Sequence, residues 1–306
     1  LPRLDDLKHW AKLTLCPILF SIDISKWSLA ADHLPRSPLS APDSPTIAIY
    51  GKYVDATDSY ASVVAALRAV SPEAKIVQLG VSESSSVPLS SVFHSGIDGV
   101  IIPGGFGTRG FIGKVAAAKH CIAEGIPLLG ICMGFQAIAV ALLQDRPEGR
   151  GRRLSDELED APSAPSAPSA GDEEASTDVI VRYMDGESRS MLLGKQETFP
   201  VDSSSDFSTE FYSSSCRFRN RLGLSMKDAV SIGRNVHFVW HVGTAWAAAM
   251  SGDTWLATQY HCEFSVADGF PEFRWLAGGA SRRRADTQAA LAFAADPDLI
   301  HGVSAM

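Results

Sequence analysis

Cysteine is scarce in this 306-residue chain: Cys16, Cys121, Cys132, Cys216 and Cys262 are widely spaced, odd in number and never arranged as CxxC. That pattern supports neither a disulfide framework nor a structural zinc site, and it fits a reducing compartment. The 8 histidines are equally scattered, with no HExxH or similar cluster at ligand spacing, so no metal is expected. Basic residues are outnumbered, 27 against 35 acidic, and the formal charge of -8 argues against a phosphate-backbone footprint or a polybasic membrane patch. No nucleic acid and no membrane partner is expected.

Uninterrupted apolar runs of spanning length are also missing. Residues 125–144 carry no formal charge, but Pro127, Gly130, Gly134 and Gln136 divide them into a short strand, a tight turn and a helix. Residues 235–252 contain His237, His241 and three glycine or serine breaks. The first ten residues include Asp5, Asp6, Lys8 and His9, which does not make a secretory signal. The chain opens on Leu1 instead of Met, as a fragment of something longer would.

What is present is enough apolar sequence, 45% hydrophobic against 20% charged, to bury a sizeable core. Residues 1–45 read as an N-terminal extension or linker, with a short helix around 4–13 and a Pro- and Ser-rich run at 35–44. From Thr46 strand and helix patterns alternate. Strands are expected at 46–50, 74–79, 99–102 and 127–130, and helices at 60–70, 114–124 and 134–143. This alternation predicts an α/β fold of three layers, with a doubly wound, mainly parallel, flavodoxin-like sheet whose ligand site lies at the carboxyl ends of the strands. A main domain over 46–281 is interrupted by a low-complexity insertion at 147–175, built around three Ala-Pro-Ser repeats and read as disordered. Strand patterns return at 179–183 and 255–260, and 282–306 read as a C-terminal tail.

Three segments carry chemistry. In Gly130-Ile131-Cys132-Met133-Gly134 a buried strand turns directly into a helix, the form of a nucleophile elbow with cysteine as the nucleophile. Small flanking residues permit the tight turn, and the helix N-terminus favours the reactive thiolate. The bland alternative is a buried cysteine beside two packing glycines. Pro103-Gly104-Gly105-Phe106-Gly107 follows a strand and can aim backbone N–H groups at an oxyanion, with Gly105 and Met133 as the expected donors. It matches neither GxxxxGK[ST] nor GxGxxG, so a phosphate cradle is the weaker reading. Finally, His261 and Glu263 follow the strand at 255–258. The histidine would take the thiol proton and return it to a leaving amine, while the acid orients the ring. Together these residues make a Cys132-His261-Glu263 triad.

The chain resembles the glutaminase domain, a class I glutamine amidotransferase, of the CTP synthase family. Gly51-Lys52-Tyr53 with residues 58–63 (DSYASV) is similar to the family's GKY…DSYxSV start, and residues 99–114 (GVIIPGGFGTRGFIGK) to its oxyanion segment. Residues 130–136 (GICMGFQ) resemble GxCxGxQ, and residues 255–264 resemble FVGVQYHPEF. The resemblance implies that glutamine is the substrate, held by Gly104, Phe106, Gln136 and an arginine that grips its α-carboxylate. That arginine is Arg219 or Arg221. It also implies a cytoplasmic enzyme, homo-oligomeric when full length, that works with an amidoligase (synthetase) domain in cis or in trans. That domain would use ATP, magnesium and UTP to make CTP, while this chain itself needs no cofactor.

Several positions depart from the family. HPE reads His261-Cys262-Glu263, MRLG reads Met191-Leu192-Leu193-Gly194, and a family glutamate is Ile112, against nucleotide-effector activation. The NSTEF segment, whose acid binds the substrate amino group, is replaced by the insertion. Two readings follow: a glutaminase supplying ammonia, or a catalytically decayed regulatory or scaffold homologue of the same fold. A third, another cysteine hydrolase of this architecture, does not explain the GKY and DSYASV matches.

Overall fold

The computed structural model describes residues 44–54, 58–81, 88–94, 96–106, 109–144, 153–154, 178–182, 192–201, 215–220, 222–232, 235–242 and 244–294. Residues 1–43 of the N-terminal extension and the Ala-Pro-Ser run at 161–169, both singled out in the sequence, lie outside them.

The apolar runs form the strands they predict. β1 (Thr46–Gly51), β2 (Lys75–Gly80), β3 (Gly99–Ile102) and β4 (Leu128–Ile131) are joined through α1 (Ala61–Val70), the short α2 (Leu89–Val92) and α3 (Phe111–Ala123). β3 and β4 are buried at every position. Strands covered on both faces need continuous apolar sequence instead of alternation, which is how GVII and LLGI read. α4 (Met133–Gln144) follows β4 without a loop. Next come β5 (Arg153–Leu154), β6 (Asp178–Arg182), β7 (Leu192–Pro200), β8 (Ser215–Asn220), β9 (Leu222–Gly223), α5 (Met226–Ser231), β10 (Asn235–Val242), β11 (Thr244–Ser251), β12 (Trp255–Thr258) and α6 (Pro271–Ala294).

Nine strands make one sheet in the order β2-β1-β3-β4-β12-β11-β10-β7-β8. The first five run parallel. The last four are added antiparallel, through the β11–β12, β10–β11, β7–β10 and β7–β8 pairings. The expected mainly parallel sheet is therefore present, with an antiparallel extension on one side. Most of this extension escaped the strand pattern because residues 235–251 are apolar with no clean alternation. Val115, Ala118 and Ile138 from α3 and α4 fill one face of the sheet, and Val63, Leu67, Phe273 and Leu276 from α1 and α6 fill the other. This is the three-layer arrangement.

α6 continues through residue 281, where the sequence reading placed the start of the tail, because its second half is anchored. Arg284 lies 3.9 Å from the buried Asp98. Arg283 donates to the carbonyls of Glu124 and Gly125, at 3.1 and 3.2 Å, at the end of α3.

Two close approaches explain motif residues. The ring of Tyr60 lies over Gly51, where any Cβ would collide with its hydroxyl, and that hydroxyl accepts the Tyr53 N–H at 3.1 Å. GKY and DSY are thus two halves of one packing contact. A Cβ on Gly134 would run into the backbone carbonyl of Ile102. At Gly278, by contrast, a Cβ would meet only Arg282 Nη1, at 3.5 Å. Gly134→Ala is therefore expected to destabilise the chain by about 3 kcal/mol or more, as backbone overpacking does. Gly278→Ala should be neutral or gain up to about 1 kcal/mol from helix propensity. Urea unfolding of the two variants compares them, and equal midpoints would contradict the packing argument.

Candidate active site

The nucleophile candidate sits where β4 ends. Cys132 has φ 55°, in the left-handed region that costs a non-glycine residue free energy, and it is 3% exposed. The surroundings hold it there. Its N–H donates to the Thr258 carbonyl at 2.7 Å, tying the elbow to β12, and its own carbonyl accepts from Gln136 N at 3.2 Å. A Cβ on Gly130 would come within 2.6 Å of Ile138 Cδ1 and 2.8 Å of the Gly134 backbone, so the turn closes only with glycine on both sides.

His261 lies three residues beyond β12, and the antiparallel extension positions it: its N–H donates to the Arg217 carbonyl of β8 at 2.8 Å. Nδ1 is 2.7 Å from Glu263 Oε1, and both side chains are buried. A carboxylate only accepts, so Nδ1 carries the hydrogen, and Nε2 is left to exchange protons. Nε2 bonds no oxygen or nitrogen among the described residues. Burial works against the imidazolium, but the negative charge of Cys132, and after it the bond to and charge of Glu263, outweigh burial and raise the pKa. His261 is thereby held toward its protonated form.

The glycine loop closes the third side. A Cβ on Gly104 would lie 3.0 Å from His261 Cε1 and 3.5 Å from Cys132 Cβ. One on Gly105 would meet Met133 Sδ at 3.6 Å, so the two expected oxyanion residues are neighbours. Met133 heads α4, and its N–H is among those that no carbonyl within the helix accepts. The Gly105 N–H donates to no carbonyl of the described residues. Phe106 is 43% exposed, with the Arg219 guanidinium 5.7 Å from its ring centre. Arg219 meets Cys132 through its backbone: its carbonyl is 3.9 Å from Cys132 Sγ. Gln136 is buried one turn into α4, and its side-chain amide donates to Gln259 Oε1 at 3.3 Å. Arg221 lies outside the described residues.

Three buried polar side chains nearby went unnoticed in the sequence: Lys114, Gln259 and Glu272. A signal for the first existed, since Lys114 shares a helical stripe with Phe111, Val115, Ala118 and Cys121, all buried. A charge on an apolar stripe is worth marking.

A family model for class-I glutamine amidotransferases matches residues 53–273, and the chain belongs to that family. The CTP synthase of Frankia casuarinae is 42% identical over 123 residues, covering 39% of this chain and 20% of that enzyme. That of Thermobifida fusca is 38% identical over 136 residues, covering 42% of this chain and 24% of the enzyme. The match thus spans only about a fifth to a quarter of these relatives. In fold, the chain is similar to the glutaminase domain of Trypanosoma brucei CTPS with bound acivicin. The TM-score is 0.62 and the identity 23%, covering 78% of this chain and 94% of that domain.

Glu272 is close enough to Glu263 to feel its charge. It is 2% exposed and accepts the Tyr260 hydroxyl at 2.9 Å on Oε1, while Oε2 has no partner among the described residues. Burial pushes its pKa up from 4.5 to about 7; the nearby charges of Asp268 and Glu263 add to the rise, and the bond from Tyr260 opposes it. A carboxyl with a raised pKa holds its proton more tightly in the folded chain. Its contribution is fully present below pH 4.5 and is lost as pH rises through about 7. At about 1.4 kcal/mol per pKa unit the loss is on the order of 3 kcal/mol. Glu272→Gln should therefore flatten the fall in stability between pH 4.5 and 7 and be the more stable protein at pH 8. Chemical denaturation across that range measures it, and superimposable pH profiles would remove the assignment.

Proposed function

We propose that this chain hydrolyses glutamine to glutamate and ammonia, as the glutaminase component of a CTP-synthase-type amidotransferase. The observation that carries this reading is that Cys132 and His261 flank the same point of Gly104, with Glu263 bonded to the far side of the imidazole. A nucleophile, a base and an orienting acid converge there beside two free backbone donors.

The steps follow from that geometry. The Cys132 thiolate attacks the carboxamide carbon, and the N–H groups of Gly105 and Met133 take up the charge on its oxygen. The carbon–nitrogen bond breaks as the His261 imidazolium gives its proton to the nitrogen, releasing ammonia and leaving a thioester. His261 then takes a proton from water as its oxygen adds to the thioester carbon. The carbon–sulfur bond breaks, and glutamate leaves with Cys132 restored as thiolate. Glu263 holds the imidazole in the tautomer that both steps need.

In this reading the ammonia passes to an amidoligase domain, in cis or in trans, which would bind ATP, magnesium and UTP to form CTP. Gly104, Phe106 and the arginines of the β8 region, Arg219 and Arg221, would hold the substrate. Similarity to CTP synthases at 38 to 42% identity supports that choice among amidotransferases. Purified chain should release glutamate from glutamine, and Cys132→Ala should lower kcat by about 10^3-fold or more. Because the triad acts as a unit, Cys132→Ala/His261→Ala should be no slower than Cys132→Ala alone. A folded protein that releases no glutamate, even with an amidoligase partner present, would leave a non-catalytic homologue.

A further inference from the structure

Lys114 is the one lysine of α3 turned fully inward: its exposure is 0%, and Nζ donates to the Pro103 carbonyl at 2.7 Å. A Cβ on Gly105 would meet that Nζ at 3.6 Å, the same distance as to Met133 Sδ, and Lys52 Cε at 3.5 Å. The ammonium therefore lies beside Gly105, one of the two residues expected to stabilise the oxyanion. Among the described residues no carboxylate forms an ion pair with it. Among the described residues the charges that act on it are that of Cys132 and the like charge of Lys52 just after β1, and Cys132 in turn acts on the bonded His261–Glu263 pair. Burial pushes its pKa down to about 7, Cys132 opposes that fall, and Lys52 adds to it.

A lysine buried without a carboxylate is expensive in solvation, and methionine would fill the same space without that cost. Two features of the site would compensate. The loop from Pro103 to Phe106 has two glycines in succession and little side chain with which to hold its own peptide planes, so a bond to the Pro103 carbonyl sets the orientation of the peptides that follow. A positive charge in a low-dielectric pocket also strengthens in proportion to the negative charge it faces, which here is the sulfur and then the oxyanion.

We propose that Lys114 is a positioning residue of the Cys132 site, anchoring the oxyanion loop through the Pro103 carbonyl and supplying the buried positive charge that supports the thiolate. The turnover part of this proposal rests on the glutaminase reading, whereas the thiol part does not.

The test is the rate of Cys132 alkylation by iodoacetamide as a function of pH, read by mass spectrometry on the Cys132 peptide, together with glutamine kinetics. It is made on the wild-type chain, Lys114→Met and Lys114→Gln, with melting curves to identify folded variants. In either folded variant the pH of half-maximal alkylation should rise by about one unit, as removal of a nearby opposite charge requires. kcat should fall by about tenfold while KM stays within about twofold, the split expected of a transition-state effect. An alkylation profile unchanged from wild type in either folded variant overturns the proposal. Collapse of both variants also overturns it, since Lys114 would then serve folding instead of the site. A wild-type chain that releases no glutamate would sink the glutaminase reading alone, because the alkylation profile still decides the role of Lys114.

Discussion

The α-carbon of Gly134 packs directly on the carbonyl of Ile102, and this approach of α4 to the end of β3 leaves no room for a side chain. With the helix that close, the chain must turn within a single residue after β4, and Cys132 takes the left-handed conformation at that point. The strain is offset by the bond from Cys132 N to the Thr258 carbonyl, which also sets β4 beside β12. Cys132, the start of α4 and the strand that leads to His261 are thus placed by one contact between two backbones.

Around that turn the interior holds several ionisable side chains. Lys114, His261, Glu263 and Glu272 are all buried, and their partners divide the roles. His261 is drawn toward its charged form by Cys132 and Glu263, whereas burial, aided by the nearby charges of Asp268 and Glu263, pushes Glu272 toward its neutral form. The antiparallel strands take part as well, since β8 supplies both the carbonyl that fixes His261 and the one nearest the sulfur.

Much of this was legible beforehand. β3 and β4 read correctly because strands buried on both faces must be continuously apolar, and the elbow read correctly because GICMG is the local chemistry such a turn demands. The start of α3 was placed three residues late, since Lys114 looks like a solvated first-turn residue and not a core one. The hairpin of β10 and β11 hid within an apolar stretch whose partners are distant in sequence. Arg219 was chosen for its side chain, yet the part of it nearest the sulfur is its carbonyl, and carbonyls leave no mark in a sequence.

The sequence alone determined the alternation of elements, the positions of the glycines that must lie against backbone, and the kinds of groups available for chemistry, because each depends on residues only a few positions apart. Tertiary structure alone decided that Cys132 meets His261 across 129 positions, that Lys114 points beneath Gly105, and that Glu272 is enclosed. Those outcomes depend on which strands become neighbours and on how much water is excluded between them. They are properties of the packed sheet, set by the sum of many contacts and not by any local run of residues.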